Sequence, residues 1–195
     1  MKKSRLSALL MAAGLLAGAN AMAGDMRAAV VSNPCAGCHG TDGASAGEAP
    51  VIAGLSRVYL MQTMQNYKNG TRFSTIMGRI AKGYDSGQMN DMAVFYSELP
   101  WVDGKQDIDA DLAAKGKDLH NSRGCNTCHG ANGISPMPAA PRLAGQFADY
   151  MVVQMQYYQD PAKPKVPMAM PMQGMLAGLS EDDLKALAAF YASQK

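Results

Sequence analysis

The sequence predicts an all-α chain made of two tandem copies of one small domain. Three observations carry this reading. Apolar residues recur at a spacing near 3.6, with almost no alternating β-branched runs. "APVIAGLSRVYLMQTMQNYKNG" from Ala49 is matched by "APRLAGQFADYMVVQMQYYQDP" from Ala140, and "QMNDMAVFYSEL" by "DLKALAAFYASQ". Each copy also contains one Cys-x-x-Cys-His segment, "CAGCHG" at Cys35 to Gly40 and "CNTCHG" at Cys125 to Gly130.

In chain order, residues 1–23 come first. Lys2, Lys3 and Arg5 precede an apolar run that ends in "AMAG", where Ala21 and Ala23 flank a cleavage point before Gly24. This is the pattern of a cleaved signal peptide, and it predicts a periplasmic protein. The apolar run is short of the roughly 20 residues a bilayer requires, and no later segment supplies a membrane span. Loss of the three leader cations leaves 15 basic against 16 acidic residues, a net charge of −1. No basic tract interleaved with aromatics remains, so nucleic acid is not an expected partner.

Residues 24–100 form the first expected domain and 101–195 the second, with the boundary near "LPWVDGKQD", where Pro100, Gly104 and several charges interrupt the helical pattern. Each copy reads as a short helix bearing the cysteines, a loop with Pro50 or Pro141, an amphipathic helix with Tyr59 or Tyr150, a methionine-bearing loop and a terminal helix. The terminal helices announce their starts. "DSGQ" at Asp85 and "SEDD" at Ser180 both read as capping boxes.

Cys-x-x-Cys-His is the attachment signature of c-type heme, and two copies predict two covalently bound heme c groups. On one helical turn the sulfurs at i and i+3 meet neighbouring edges of the macrocycle, while the imidazole at i+4 reaches its centre. The cofactor-bearing residues are then Cys35, Cys38, Cys125 and Cys128, with His39 and His129 as iron ligands. Two Cys-x-x-Cys pairs could instead surround a zinc ion, but that scheme leaves both histidines without a role. A thioredoxin-like pair needs a strand before its helix, and no strand run is present. Disulfides, the default for cysteines in an oxidising compartment, do not explain the histidines either.

Met77 and Met172 each lie eight positions before the N-cap of a terminal helix. A duplicated fold keeps equivalent ligands at equivalent positions, so these two are the expected second iron ligands. Met168, Met170 and Met175 compete with Met172 in "PMAMPMQGM", a segment whose thioethers also suit copper(I). Met61, Met64, Met151 and Met155, at helical spacing, read as core fillers. Pro50 and Pro141 are positioned to offer carbonyls to the free imidazole nitrogens. His120, with no cysteine pair before it, reads as an exposed helix residue. Arg57, Arg72, Arg79 and Lys82 read most simply as solvated charge.

With histidine and methionine on both faces, neither iron keeps an open position, which favours electron transfer over catalysis. The paired methionines argue against a diheme peroxidase. Methionine ligation also raises the potential relative to a bis-histidine site.

The two motifs, the "LAGQ"-like segments and the "LSEDDLKALAAFYASQ" ending resemble the diheme class I cytochromes c of the c-four type over essentially the whole mature sequence. "NPCAGCHGTDG" and "STIMGRIAKGY" are similar, more narrowly, to the diheme cytochrome subunit of flavocytochrome c sulfide dehydrogenase. That resemblance implies a partner, the FAD-containing subunit that oxidises sulfide, with electrons passing on to a downstream cytochrome or terminal oxidase. It also implies a non-catalytic role for this protein. The first half has only a short leading helix, and the second half is more similar to the free c-four proteins, so an independent shuttle to a terminal oxidase is the alternative. No dinucleotide-binding fingerprint is present, so a flavin has to come from another polypeptide.

Overall fold

The structure is a computed structural model that describes residues 26–47 and 49–195; the expected leader, residues 1–23, lies outside them. The described residues are 60% helical, and no strand occurs among them, which bears out the all-α reading.

Each half runs through the same five elements. In the first they are a helix through residues 26–32 (α1), the cysteine turn Ala36–His39 (α2), the middle helix Arg57–Lys68 (α3), the methionine turn Met77–Ile80 (α4) and the terminal helix Ser86–Glu98 (α5). In the second they are Ala110–Ser122 (α6), Asn126–His129 (α7), Ala148–Gln159 (α8), Met170–Leu176 (α9) and Glu181–Ser193 (α10).

Local chemistry sets the helix starts. Both expected capping boxes form: Asp85 accepts from Gln88 N at 2.8 Å, and Ser180 accepts from Asp183 N at 3.2 Å. Ser56 and Asp109 cap α3 and α6 in the same way, and each such cap stabilises its helix by about 1 kcal/mol.

Met151, Met155, Leu176, Leu184, Leu187 and Phe190 form the core of the second half. Leu55, Leu60, Met92 and Tyr96 form that of the first, with Met61 and Met64 packed against it, so all four middle-helix methionines fill core space. In the second half α6 crosses α10 closely. Gly116 sits at the crossing, where a Cβ would fall 1.9 Å from the Ala186 carbonyl oxygen.

Val51, Ala53 and Phe147 are buried together where the halves meet, flanked by Leu99, Trp101 and Tyr150. Gln146, 3% exposed, closes this seam: its Oε1 accepts from Val51 N at 3.0 Å and its Nε2 donates to Val51 O at 2.9 Å. Phe73 meets Tyr157 edge to face across the same seam, with ring centroids 4.5 Å apart.

Candidate heme-attachment sites

Each cysteine motif is a single helical turn, so the first thiol faces inward and the second outward. Cys35 and Cys125 are half-buried, whereas Cys38 and Cys128 are exposed. Burial pushes the Cys35 and Cys125 thiols up from their ordinary pKa. The histidine that ends each turn points into the protein, and His39 and His129 are both buried. The glycine after each is required by the backbone. Gly40 and Gly130 have φ of 74° and 67°, and a Cβ at Gly130 would lie 2.3 Å from the Ile134 carbonyl oxygen.

The Nδ1–H of His39 donates to the Pro50 carbonyl at 2.8 Å. That bond places the ring proton on Nδ1 and leaves Nε2 with its lone pair, the state a metal-binding imidazole needs. Burial lowers the His39 pKa and the Pro50 carbonyl partly offsets it. Burial likewise lowers His129, to about 4. Here the halves differ: the Pro141 carbonyl favours a proton on His129, but Nδ1 has no partner within hydrogen-bond geometry.

The methionines expected in loops lie on short helical turns instead. Met77 is the first residue of α4, where Ser74 Oγ accepts from Gly78 N at 2.7 Å and fixes the turn. It is half-buried against Tyr67, Ala81 and Met89. Met172 lies within α9 and packs on the second core, whereas its rivals Met168, Met170 and Met175 are 61%, 52% and 39% exposed.

Two expectations need correction. His120 is not an exposed helix residue; it is completely buried, with Nδ1 2.9 Å from the Tyr191 hydroxyl, because α6 turns this face onto α10. Arg72 is not simply solvated. Its Nη1 donates to Tyr59 OH and Thr63 Oγ1, both at 3.1 Å, and its Nη2 to Gln154 of the other half at 3.3 Å. The guanidinium also lies 5.2 Å from the Tyr67 ring centroid, a cation–π arrangement that single-residue charge reasoning misses. Arg79 and Lys82 are exposed, as expected. Gln146 belongs to the "LAGQ" segment, yet its bonds to Val51 depend on a residue 95 positions away.

No group of three or more His, Cys, Asp or Glu that could hold a metal ion occurs among the described residues, so the two Cys-x-x-Cys pairs do not converge on a zinc site. The residues do fit heme c: two thiols one turn apart, one of them open to solvent, beside a buried imidazole. Two such turns, one in each of two tandem all-α domains, define a diheme c-type cytochrome with two covalently bound heme c groups.

The protein belongs to the cytochrome c family, whose profile, described as "Cytochrome c", matches residues 27–108 and 113–195. Cytochrome c4 from Azotobacter vinelandii is 31% identical over 193 residues, covering 89% of each sequence. The cytochrome subunit of sulfide dehydrogenase from Chlorobaculum tepidum is 43% identical over 75 residues, covering 38% of this chain and 68% of that one. The fold also matches a solved thiosulfate dehydrogenase from Marichromatium purpuratum with a TM-score of 0.76 at 26% identity, covering 88% of this chain and 40% of that one. Diheme electron transfer of the c4 type is therefore the activity of this protein. No helix among the described residues is long and apolar enough to cross a membrane.

Proposed function

We propose that this protein is the heme subunit that accepts electrons from the FAD-containing subunit of a sulfide dehydrogenase and passes them to a downstream cytochrome or terminal oxidase. The observation that carries this reading is the local similarity to a sulfide dehydrogenase cytochrome subunit, 43% over 75 residues, together with the "STIMGRIAKGY" segment that bears Met77. Export by cleavage of residues 1–23 places the protein in the periplasm.

His39 with Met77, and His129 with Met172, would hold the irons of the two hemes. The Pro50 bond to His39 Nδ1 supports the first imidazole ligand, and the half-buried setting of Met172 among exposed neighbours supports the last thioether. The bound hemes supply reversible one-electron chemistry at iron. The polypeptide fixes the His39 tautomer through Pro50 and would supply a ligand to both faces of each iron, which makes the protein by itself an electron carrier and not an enzyme.

The whole-length similarity to cytochrome c4 favours a second reading, a free shuttle with no permanent flavoprotein partner. The fold match to a thiosulfate dehydrogenase offers that enzyme class as another sulfur-oxidising donor. One experiment separates the three. The native protein is captured from the periplasm, its absorption spectrum is read for heme and flavin, and reduction by sulfide and by thiosulfate is followed. Copurifying flavin with sulfide-driven reduction supports the sulfide reading. A flavin-free monomer inert to sulfide overturns it.

A further inference from the structure

The two halves brace their heme-attachment turns with the same tyrosine but complete the brace differently. In the first half, Tyr96 on α5 donates its hydroxyl to the Ser32 carbonyl at 3.0 Å. In the second, Tyr191 at the corresponding place on α10 faces Nδ1 of His120 at 2.9 Å. Each tyrosine also lies beside the first cysteine of its motif, close enough for the two side chains to interact electrostatically, Tyr96 with Cys35 and Tyr191 with Cys125. The first half thus uses a backbone acceptor and the second a side-group nitrogen.

His120 is 0% exposed, and its ring lies 5.0 Å from Phe190 and 5.5 Å from Tyr191, centroid to centroid. Its backbone oxygen accepts from Cys125 N at 3.1 Å, tying α6 to the start of the attachment turn. Nε2 has no partner within hydrogen-bond geometry. Burial disfavours the imidazolium, so the ring is neutral and carries one N–H and one lone pair. The backbone at Gly130 favours a proton on the ring. Where the Tyr191 hydroxyl donates to Nδ1, the ring proton is held on Nε2.

A hydroxyl whose proton is committed to His120 turns the negative end of its dipole toward Cys125, the sulfur that carries the heme. A fixed negative end near the iron stabilises the oxidised state, and such oriented dipoles count for more in a dry interior than in water. We propose that His120 is a positioning residue that fixes the Tyr191 hydroxyl and so lowers the potential of the C-terminal heme alone. No counterpart exists among the described residues of the first half, where the acceptor is backbone and does not change with the side group. The proposal rests on the electron-transfer reading but not on the identity of the donor, and its test can fail while flavoprotein capture succeeds.

The test measures both reduction potentials of the heme-loaded, full-length protein in H120F, H120Q, Y191F, Y96F and the H120F/Y191F double variant. H120F keeps ring volume and removes the acceptor; H120Q restores an acceptor oxygen. One of the two potentials rises in H120F, by about threefold in the reduction equilibrium, where tenfold would be 59 mV for one electron. The same potential rises in Y191F, the double variant moves it no further than the larger single change, and H120Q stays near the parent. The other potential responds to Y96F. The proposal is overturned if H120F moves neither potential or both equally, or if its effect and that of Y191F add. Should H120F not fold, Y191F decides alone, and unchanged potentials there reject the proposal.

Discussion

Gln146 pairs with Val51 through two hydrogen bonds, one to the backbone N–H and one to the backbone C=O, and so mimics a strand partner between two helical domains. Val51 is completely buried, so no water replaces a lost bond. Each buried backbone group left unpaired costs about 1–3 kcal/mol. Gln146→Leu is expected to destabilise the protein by about 2–6 kcal/mol on the same basis. Guanidinium unfolding followed at the hemes and by far-UV circular dichroism checks this; a variant as stable as the parent excludes the seam as a source of stability.

Gly116 touches Ala186 where α6 crosses α10. Alanine gains about 1 kcal/mol in helix propensity, but the added methyl cannot fit without moving a helix, and overpacking costs about 1–3 kcal/mol or more. Gly116→Ala therefore lowers the thermal midpoint. Gly174→Ala, with open space at its Cβ, avoids that packing penalty.

Met172 is half-buried on the core of the second half, while Met170 is 52% exposed. Met172→Ala is expected to remove methionine ligation from one of the two hemes and leave the other intact. Met170→Ala leaves both unchanged. The near-infrared sulfur-to-iron band of the oxidised protein, halved in the first variant and full in the second, is the readout; the reverse result assigns the ligand to Met170.

Burial lowers the pKa of His120 below the ordinary 6.5, and this imidazole is not an iron ligand. The unfolded state therefore holds a proton that the folded state does not, so stability falls as pH drops below about 6.5. His129, as an iron ligand, does not titrate in the heme-loaded protein. The unfolding midpoint at about pH 5 should lie below that at about pH 7, by less in His120→Phe than in the parent. An equal difference in both proteins removes His120 from the pH dependence.

The all-α class, the duplication and the heme-binding cysteines were legible because each depends on neighbours within a few residues. A Cys-x-x-Cys-His turn fixes its own geometry, and so do the boxes at Asp85 and Ser180. The helical setting of Met77 was less legible: the bond from Gly78 N to Ser74 Oγ is local, but the glycines and charges around Met77 read as a loop. The burial of His120 is legible only from its helix as a whole: Ala113, Gly116 and Leu119 share its side of α6, Asp111, Lys115, Lys117 and Asp118 are exposed on the other, and docking against α10 encloses the apolar side.

The sequence by itself determined the cofactor, its number and the attachment atoms, because covalent heme binding is written at fixed short spacings. Tertiary structure alone decided which polar side groups lie inside. Gln146, Arg72 and His120 acquire partners 95, 82 and 71 positions away. Burial and hydrogen bonding at such distances depend on how helices cross, and the seam between the halves and the unequal braces of the two hemes both arise there.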